Sequence, residues 1–346
     1  MNLNKSKVNL YMERNISLDR LKGYACFLVV FGHVIRGAKT AGISYPRFFA
    51  DLESFIWSFH VALFLFLSGC AYKISSDNKK TRSPKKFILY KAINLGIPYL
   101  FFSGLYIVIN SLTDSVNTHS SLSEILCVWK TPVAQYWYLY ALFFLLCMWA
   151  LLSESLSNAE ITVLTVVFTY TAPFFGVDFG SFGIVFYSAL AFGLGTVFGI
   201  KPFKKTKPFF AAAVIVIHIA LGFLLVCFSL NEKPFIKEFL MLLGIYASIL
   251  FVYAAEKMRF MACFFDFMSK YSFQIYLLHT IFTSAARILL LKAGITALVI
   301  HIVIGCLFGI IFSYAAAAIA KRSKVLNLVF FPTKTFSLIK NKDKAI

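Results

Sequence analysis

Ten long apolar stretches separated by short polar segments run along the chain, near 18–37, 55–73, 87–110, 136–152, 161–176, 182–200, 209–230, 236–255, 271–291 and 297–320. A helix needs roughly 20 residues to cross a hydrocarbon core about 30 Å thick, and most of these runs reach that length. The fourth and fifth are the shortest. The pattern predicts an all-α, polytopic integral membrane bundle of about ten transmembrane helices. It divides the chain into a polar N-terminal tail (1–17), one membrane domain (18–320) and a basic C-terminal tail (321–346). The polar segment 111–135 is expected to hold a short interfacial helix. No internal repeat, GxGxxG or P-loop interrupts the array.

Composition sharpens this picture. Hydrophobic residues make up 60% of the chain and charged residues 14%, with mean hydropathy +0.78. A soluble chain of this length could not cover so much apolar surface. The net charge of +19 would suggest nucleic acid in a soluble protein, but here the basic residues sit in short segments between apolar runs. With the N-terminus placed inside, 26 of the 34 Lys and Arg fall on inner segments and 8 on outer ones. That bias predicts both termini in the cytoplasm and no nucleic-acid partner. Some seventeen polar residues before the first run, with no small-residue cleavage site after it, argue against a cleavable signal. The seven cysteines form no CxxC pair and no zinc-site spacing, so they read as small buried hydrophobes and no metal is expected.

The chemistry-bearing candidates are ionisable residues inside the apolar runs. In LDRLKGYACFLVVFGHVIRG, Lys22 and His33 differ by about 20° around a helix at 100° per residue, and Asp19 and His33 by about 40°. All three share one face, with Lys22 near the inner boundary and His33 about 16 Å further out. Such groups usually face the bundle interior and mark a functional path. His60 opens the second run at a depth close to that of His33, so the two rings could meet in one cavity. Lys79, Lys80, Arg82, Lys85 and Lys86, with Lys91 beyond, form an inner cationic patch. Orientation and anionic lipid headgroups are its plain reading; a phosphate-rich ligand is the sharper one. Tyr136 and Trp137 cluster at the outer interface with Trp57 and Trp129, as a lipid-facing belt or as rings for stacking sugars.

Several of these segments together resemble one family, the membrane acyltransferase-3 proteins. LDRLKGYACFLVVFGHVIRG is similar to its opening helix, in which a basic residue precedes a histidine by eleven positions, here Lys22 and His33. FHVALFLFLSG (59–69), YKAINLGIPYL (90–100), YWYLYALFFLL (136–146) and SFQIYLLH (272–279) resemble further family segments in the right order. The resemblance implies an enzyme that moves an acyl group, usually acetyl from acetyl-CoA, to a hydroxyl of a surface glycan or lipid-linked sugar at the bacterial inner membrane. It implies His33 as base or acyl relay, with Lys22, Asp19 and His60 around it. Where the family typically has Arg-x-x-Arg, this chain has Lys91 and Asn94, so donor contacts are expected from Lys91, Asn94, Lys85, Lys86 and Arg82. Arg36, Tyr136, Trp137, His279 and Arg287 are the candidate acceptor contacts, Arg287 and His60 also being possible oxyanion donors. A glycan or lipid-linked sugar transporter is the competing reading, which explains the buried charges without catalysis.

Overall fold

The computed structural model describes residues 15–77, 83–112, 121–200, 203, 206–330 and 332. Among them the protein is helical, without strands. The elements are α1 (Ile16–Thr40), α2 (Arg47–Trp57), α3 (His60–Asp77), α4 (Pro84–Lys91), α5 (Ile97–Leu112), α6 (Trp137–Leu152) and α7 (Asn158–Thr171). There follow α8 (Gly183–Phe198), α9 (Pro208–Cys227), α10 (Ile236–Ala255), α11 (Arg259–Lys270), α12 (Ser272–Lys292), α13 (Leu298–Ala320) and α14 (Lys324–Phe330).

Nine helical stretches among the described residues are long and apolar enough to cross a membrane. The tenth expected run is α7, an α-helix of 14 residues continued by the 3₁₀ turn Ala172–Phe175. Together these reach about 29 Å, close to the thickness of a hydrocarbon core. The neighbours of α7 show that it does return across the bundle. Phe144 of α6 lies against Phe182 at the start of α8, and Trp149 lies against Phe192 further along it, so α6 and α8 run in the same direction. The segment joining two parallel helices must come back, and Thr169 of α7 reaches the Phe186 carbonyl while Thr162 faces Gly193. Among the described residues, α7 therefore runs back between α6 and α8, beside the nine longer apolar stretches.

Some boundaries differ from the sequence pattern for visible reasons. The second run is preceded by the separate helix α2, whose Glu53, Phe55 and Ile56 are buried. The third run is α4, a π-helical turn at Ala92–Gly96 and then α5. Within 111–135 the short helix is the 3₁₀ turn Leu122–Cys127, started by a capping box of Ser121 and Glu124. Of the seven cysteines, Cys26 and Cys70 are buried, but Cys127, Cys227 and Cys263 are exposed. The expectation of uniformly buried cysteines is corrected accordingly: three of them lie on the outside of the bundle rather than in its core.

The core that positions the site is centred on α1. Asn15 caps its first turn by accepting from the Leu18 amide at 3.1 Å, and Gly42, at φ +73°, follows its end. The helices pack closely through small residues, as membrane bundles do. Gly23 lies under the Phe265 backbone of α11, and Gly305 of α13 receives Val34. Arg20 fixes α11 beside α1 by pairing with Asp266 at 3.1 Å and Glu256 at 3.3 Å. Cys26 lies against the Ser272 carbonyl and Gly37 against Arg287, so α1 and α12 run parallel.

Candidate functional site

A cavity of about 730 Å³ opens between α1, α3, α5, α6 and α12. Its wall on α1 is the stripe Lys22, Val29, His33, Arg36, Gly37 and Thr40, residues whose helical spacing puts them on one face. From Lys22 to Thr40 that stripe is about 27 Å long, close to the thickness of a hydrocarbon core. The cavity thus runs along about three quarters of α1, with Lys22 toward one end, Arg36 and Arg287 toward the other, and His33 between them.

His33 is half-buried and faces this space. Its ring stands edge-on to Trp57 at 5.3 Å and to His279 at 5.0 Å, and Trp57 in turn lies 4.5 Å from the His60 ring. His60 and His279 are both fully buried. The Nδ1 of His60 lies 2.8 Å from the Ile56 carbonyl; that of His279 lies 2.9 Å from the Ile275 carbonyl and 3.0 Å from that of Tyr276. Carbonyl oxygens only accept, so in each neutral ring Nδ1 carries the proton and Nε2 presents a lone pair. Both Nε2 atoms are buried without a hydrogen-bond partner, as is the Trp57 indole Nε1. One donor and two acceptors, all unsatisfied, therefore surround His33. Buried unpaired polar groups cost stability, and their concentration in one place marks a site built to receive something.

The two ends of the cavity carry charge. Lys22 lies 3.7 Å from Asp19, which lies off the cavity wall. At the other end the Arg36 guanidinium lies 3.6 Å from the Trp57 ring centroid and binds the buried carboxylate of Glu53, which Lys39 also approaches at 3.7 Å. In the loop after α1, the Tyr45 phenol is held well above the usual tyrosine range, by loss of solvent first and by the Glu53 carboxylate second.

The structure places the sequence-predicted residues in three groups. Lys22, His33, Arg36, His60, Trp137 and Arg287 all line the cavity. His279 touches His33 from behind that wall, and Asp19 touches Lys22. Tyr136 is fully buried, its hydroxyl donating to the Leu277 carbonyl at 2.9 Å. Lys85 and Lys86 are exposed on α4, Lys91 lies against Phe87, and Asn94 sits in the π-helical turn, donating to the Tyr90 carbonyl at 2.7 Å. These four do not reach the cavity wall, although Leu95, next to Asn94, does. Arg82, with Lys79 and Lys80, lies outside the described residues.

Sequence reasoning missed Glu53, whose only signal was an acid near three cations, Arg36, Lys39 and Arg47. It also missed the polar groups that brace the wall. Ser68 pairs with Tyr138 at 2.8 Å, and Gln135 donates to Thr280 at 2.6 Å. Both contacts join positions distant in the chain, so no local pattern could show them. Among the described residues no group of His, Cys, Asp and Glu is arranged to hold a metal ion.

A family model described as an acyltransferase domain matches residues 15–318, most of the chain and all of the helices that build the cavity. No curated protein and no solved structure matches it. A long cavity with a half-buried histidine inside a bundle of apolar helices agrees with that match, and the chain belongs to the acyltransferase-3 family of membrane acyltransferases.

Proposed function

We propose that the protein is an O-acyltransferase of the bacterial inner membrane that moves acetyl from cytoplasmic acetyl-CoA to a hydroxyl of a surface glycan or lipid-linked sugar. The observation that supports this most directly is the single cavity joining a cationic inner end to a cationic outer end, with His33 on its wall between them. A thioester can enter from one side and a hydroxyl from the other without either crossing the bundle. The hydroxyl oxygen attacks the thioester carbonyl, the C–S bond breaks, and the proton passes from hydroxyl to His33 and on to the departing CoA thiolate. A glycan hydroxyl is a poor nucleophile near neutral pH, which is why a positioned imidazole base is needed.

The neighbouring rings have distinct parts in this reading. The Nε2 of His279, which has no partner in the structure, is the acceptor assigned to the His33 N–H during transfer, leaving the other His33 nitrogen for the hydroxyl. His60, in the tautomer its Ile56 contact selects, offers no donor toward the cavity. The oxyanion is therefore assigned to the Trp57 indole N–H, which is buried, unpartnered and beside His33. Acyl transfer through a transient acyl-imidazole on His33 uses the same groups.

Two expected results test this reading. Purified protein given acetyl-CoA should release CoA in the presence of envelope glycan, and mass spectrometry should find the glycan heavier by one acetyl group. Converting Lys85, Lys86 and Lys91 together to Gln should weaken donor binding on the order of tenfold while single changes do little, because exposed charges contribute modestly one at a time. Absence of any acetylated product across envelope fractions would remove the acetyl-transfer reading, and unchanged donor affinity would return the patch to orientation and lipid. Placement of both termini in the cytoplasm rests on the uneven spread of Lys and Arg. Cysteines introduced at 203–206 should be labelled from the cytoplasm and those at 121–124 from outside; the reverse pattern would invert the assignment of donor and acceptor ends.

A further inference from the structure

The cavity wall carries Lys22, Arg36, Arg287 and two histidines, but no Asp or Glu among the described residues. The three permanent cations differ in how their charge is met. Lys22 has Asp19, and Arg36 has Glu53. Arg287 has no acidic partner among the described residues. Its Nη1 lies where a Cβ on Gly37 would come within 2.3 Å, so the guanidinium rests directly on the α1 backbone at the cavity's outer end. Glu53 is also shared by Lys39, so Arg36, Lys39 and Arg287 together exceed it by two positive charges. An uncompensated guanidinium in a membrane-spanning helix is costly and is retained where a ligand completes it.

We infer that the acceptor is anionic, and that Arg287 binds a carboxylate or phosphate carried on or next to the sugar that is acylated. The inference rests on the acyl-transfer reading for the identity of the ligand, but not for the site's charge. Gly37 is one helical turn beyond His33, about 6 Å along the axis, which is close to the width of one sugar ring. A hydroxyl at His33 and an anionic group at Arg287 therefore fit on one sugar or on two adjoining ones. Arginine suits both anions because its planar fork of donors matches their paired oxygens. A uronic acid in the glycan and the phosphate that joins a sugar to a lipid carrier are the two sources of this chemistry.

Binding and turnover separate the possibilities. Protein in nanodiscs is titrated with methyl β-glucoside, methyl β-glucuronide and decyl glucosyl phosphate, followed by the fluorescence of Trp57 and Trp137 on the cavity wall. The same three probes are then offered as acceptors with acetyl-CoA. The expected result is at least tenfold tighter binding of one or both anionic probes than of the neutral one. The glucuronide identifies a carboxylate on the sugar, and the phosphate a carrier linkage. Arg287→Gln should abolish the preference, the anionic probes then binding no more tightly than the neutral one, whereas Arg287→Lys should keep most of it and serve as the folding control. Equal affinity for neutral and anionic probes in the wild type overturns the inference, as does a preference that survives in Arg287→Gln. Selective binding without acetyl transfer to any probe upholds the anion site and counts against the acetyl-CoA reading instead.

Discussion

Replacing His33 with alanine should lower acyl transfer by roughly 10²–10⁴-fold, the usual contribution of a general base, while expression, membrane insertion and donor binding stay near wild type. The structure explains why the two effects should separate. His33 is half-buried on a cavity wall, and among the described residues its ring makes edge contacts with Trp57 and His279 but no hydrogen bond. Its removal therefore enlarges a space that already exists and strands no partner that was satisfied before. A core histidine such as His60 differs: it is fully buried, and its Nδ1 proton is committed to the Ile56 carbonyl. His33→Gln sharpens the comparison, since the amide keeps hydrogen bonding but cannot take the proton. Single-turnover release of CoA, measured beside donor affinity on the same preparation, reads the chemical step directly. A Gln variant that turns over like the wild type would exclude His33 from the reaction and leave His60 as the next base to test.

Much of this arrangement could be read from the sequence, because in a membrane the backbone must satisfy itself and apolar length is then a direct measure of span. The runs at 236–255 and 297–320 coincide with α10 and α13 to within a residue. The face shared by Lys22 and His33 was equally legible, since helical spacing alone fixes it, and both residues line one cavity. What the pattern could not give were properties of contact. α2 and α11 are amphipathic, bury one side each and lack the length of a span, so hydropathy averages pass over them. Nothing in SFQIYLLH says that the His279 Nε2 is left bare by two carbonyls from its own helix, or that the ring faces His33. The pairing of Glu53 with Arg36 depends on how α2 folds back against α1, which is set by packing and not by local pattern. The π-helical turn at Ala92–Gly96 has no clear sequence signal either, yet it falls where the expected basic pair is reduced to Lys91 and Asn94. Such turns are frequent at functional sites.

The glycines between α3 and α8 should tolerate no added side chain. A Cβ on Gly69 would lie 2.0 Å from the Phe192 carbonyl oxygen, and one on Gly195 would lie 2.0 Å from that of Phe66. The obstruction on each side is backbone, which cannot rotate away as a side chain can. Even Gly69→Ala or Gly195→Ala must therefore push the two helices apart. Overpacking of a closed core costs about 1–3 kcal/mol when side chains can adjust, so a backbone clash belongs at or above the top of that range. Here the separation would spread further, because α3 carries Ser68, whose bond to Tyr138 braces the cavity wall. Alanine at either position should lower the melting temperature in detergent markedly, and leucine should abolish the monodisperse protein. Gly104, half-buried on α5, supplies the control, for a Cβ there meets nothing within 4 Å. Gly104→Ala should be neutral or gain up to about 1 kcal/mol from helix propensity. Were Gly69→Leu to melt like the wild type, α3 and α8 could not be in backbone contact, and the wall that positions the cavity would have to be built differently.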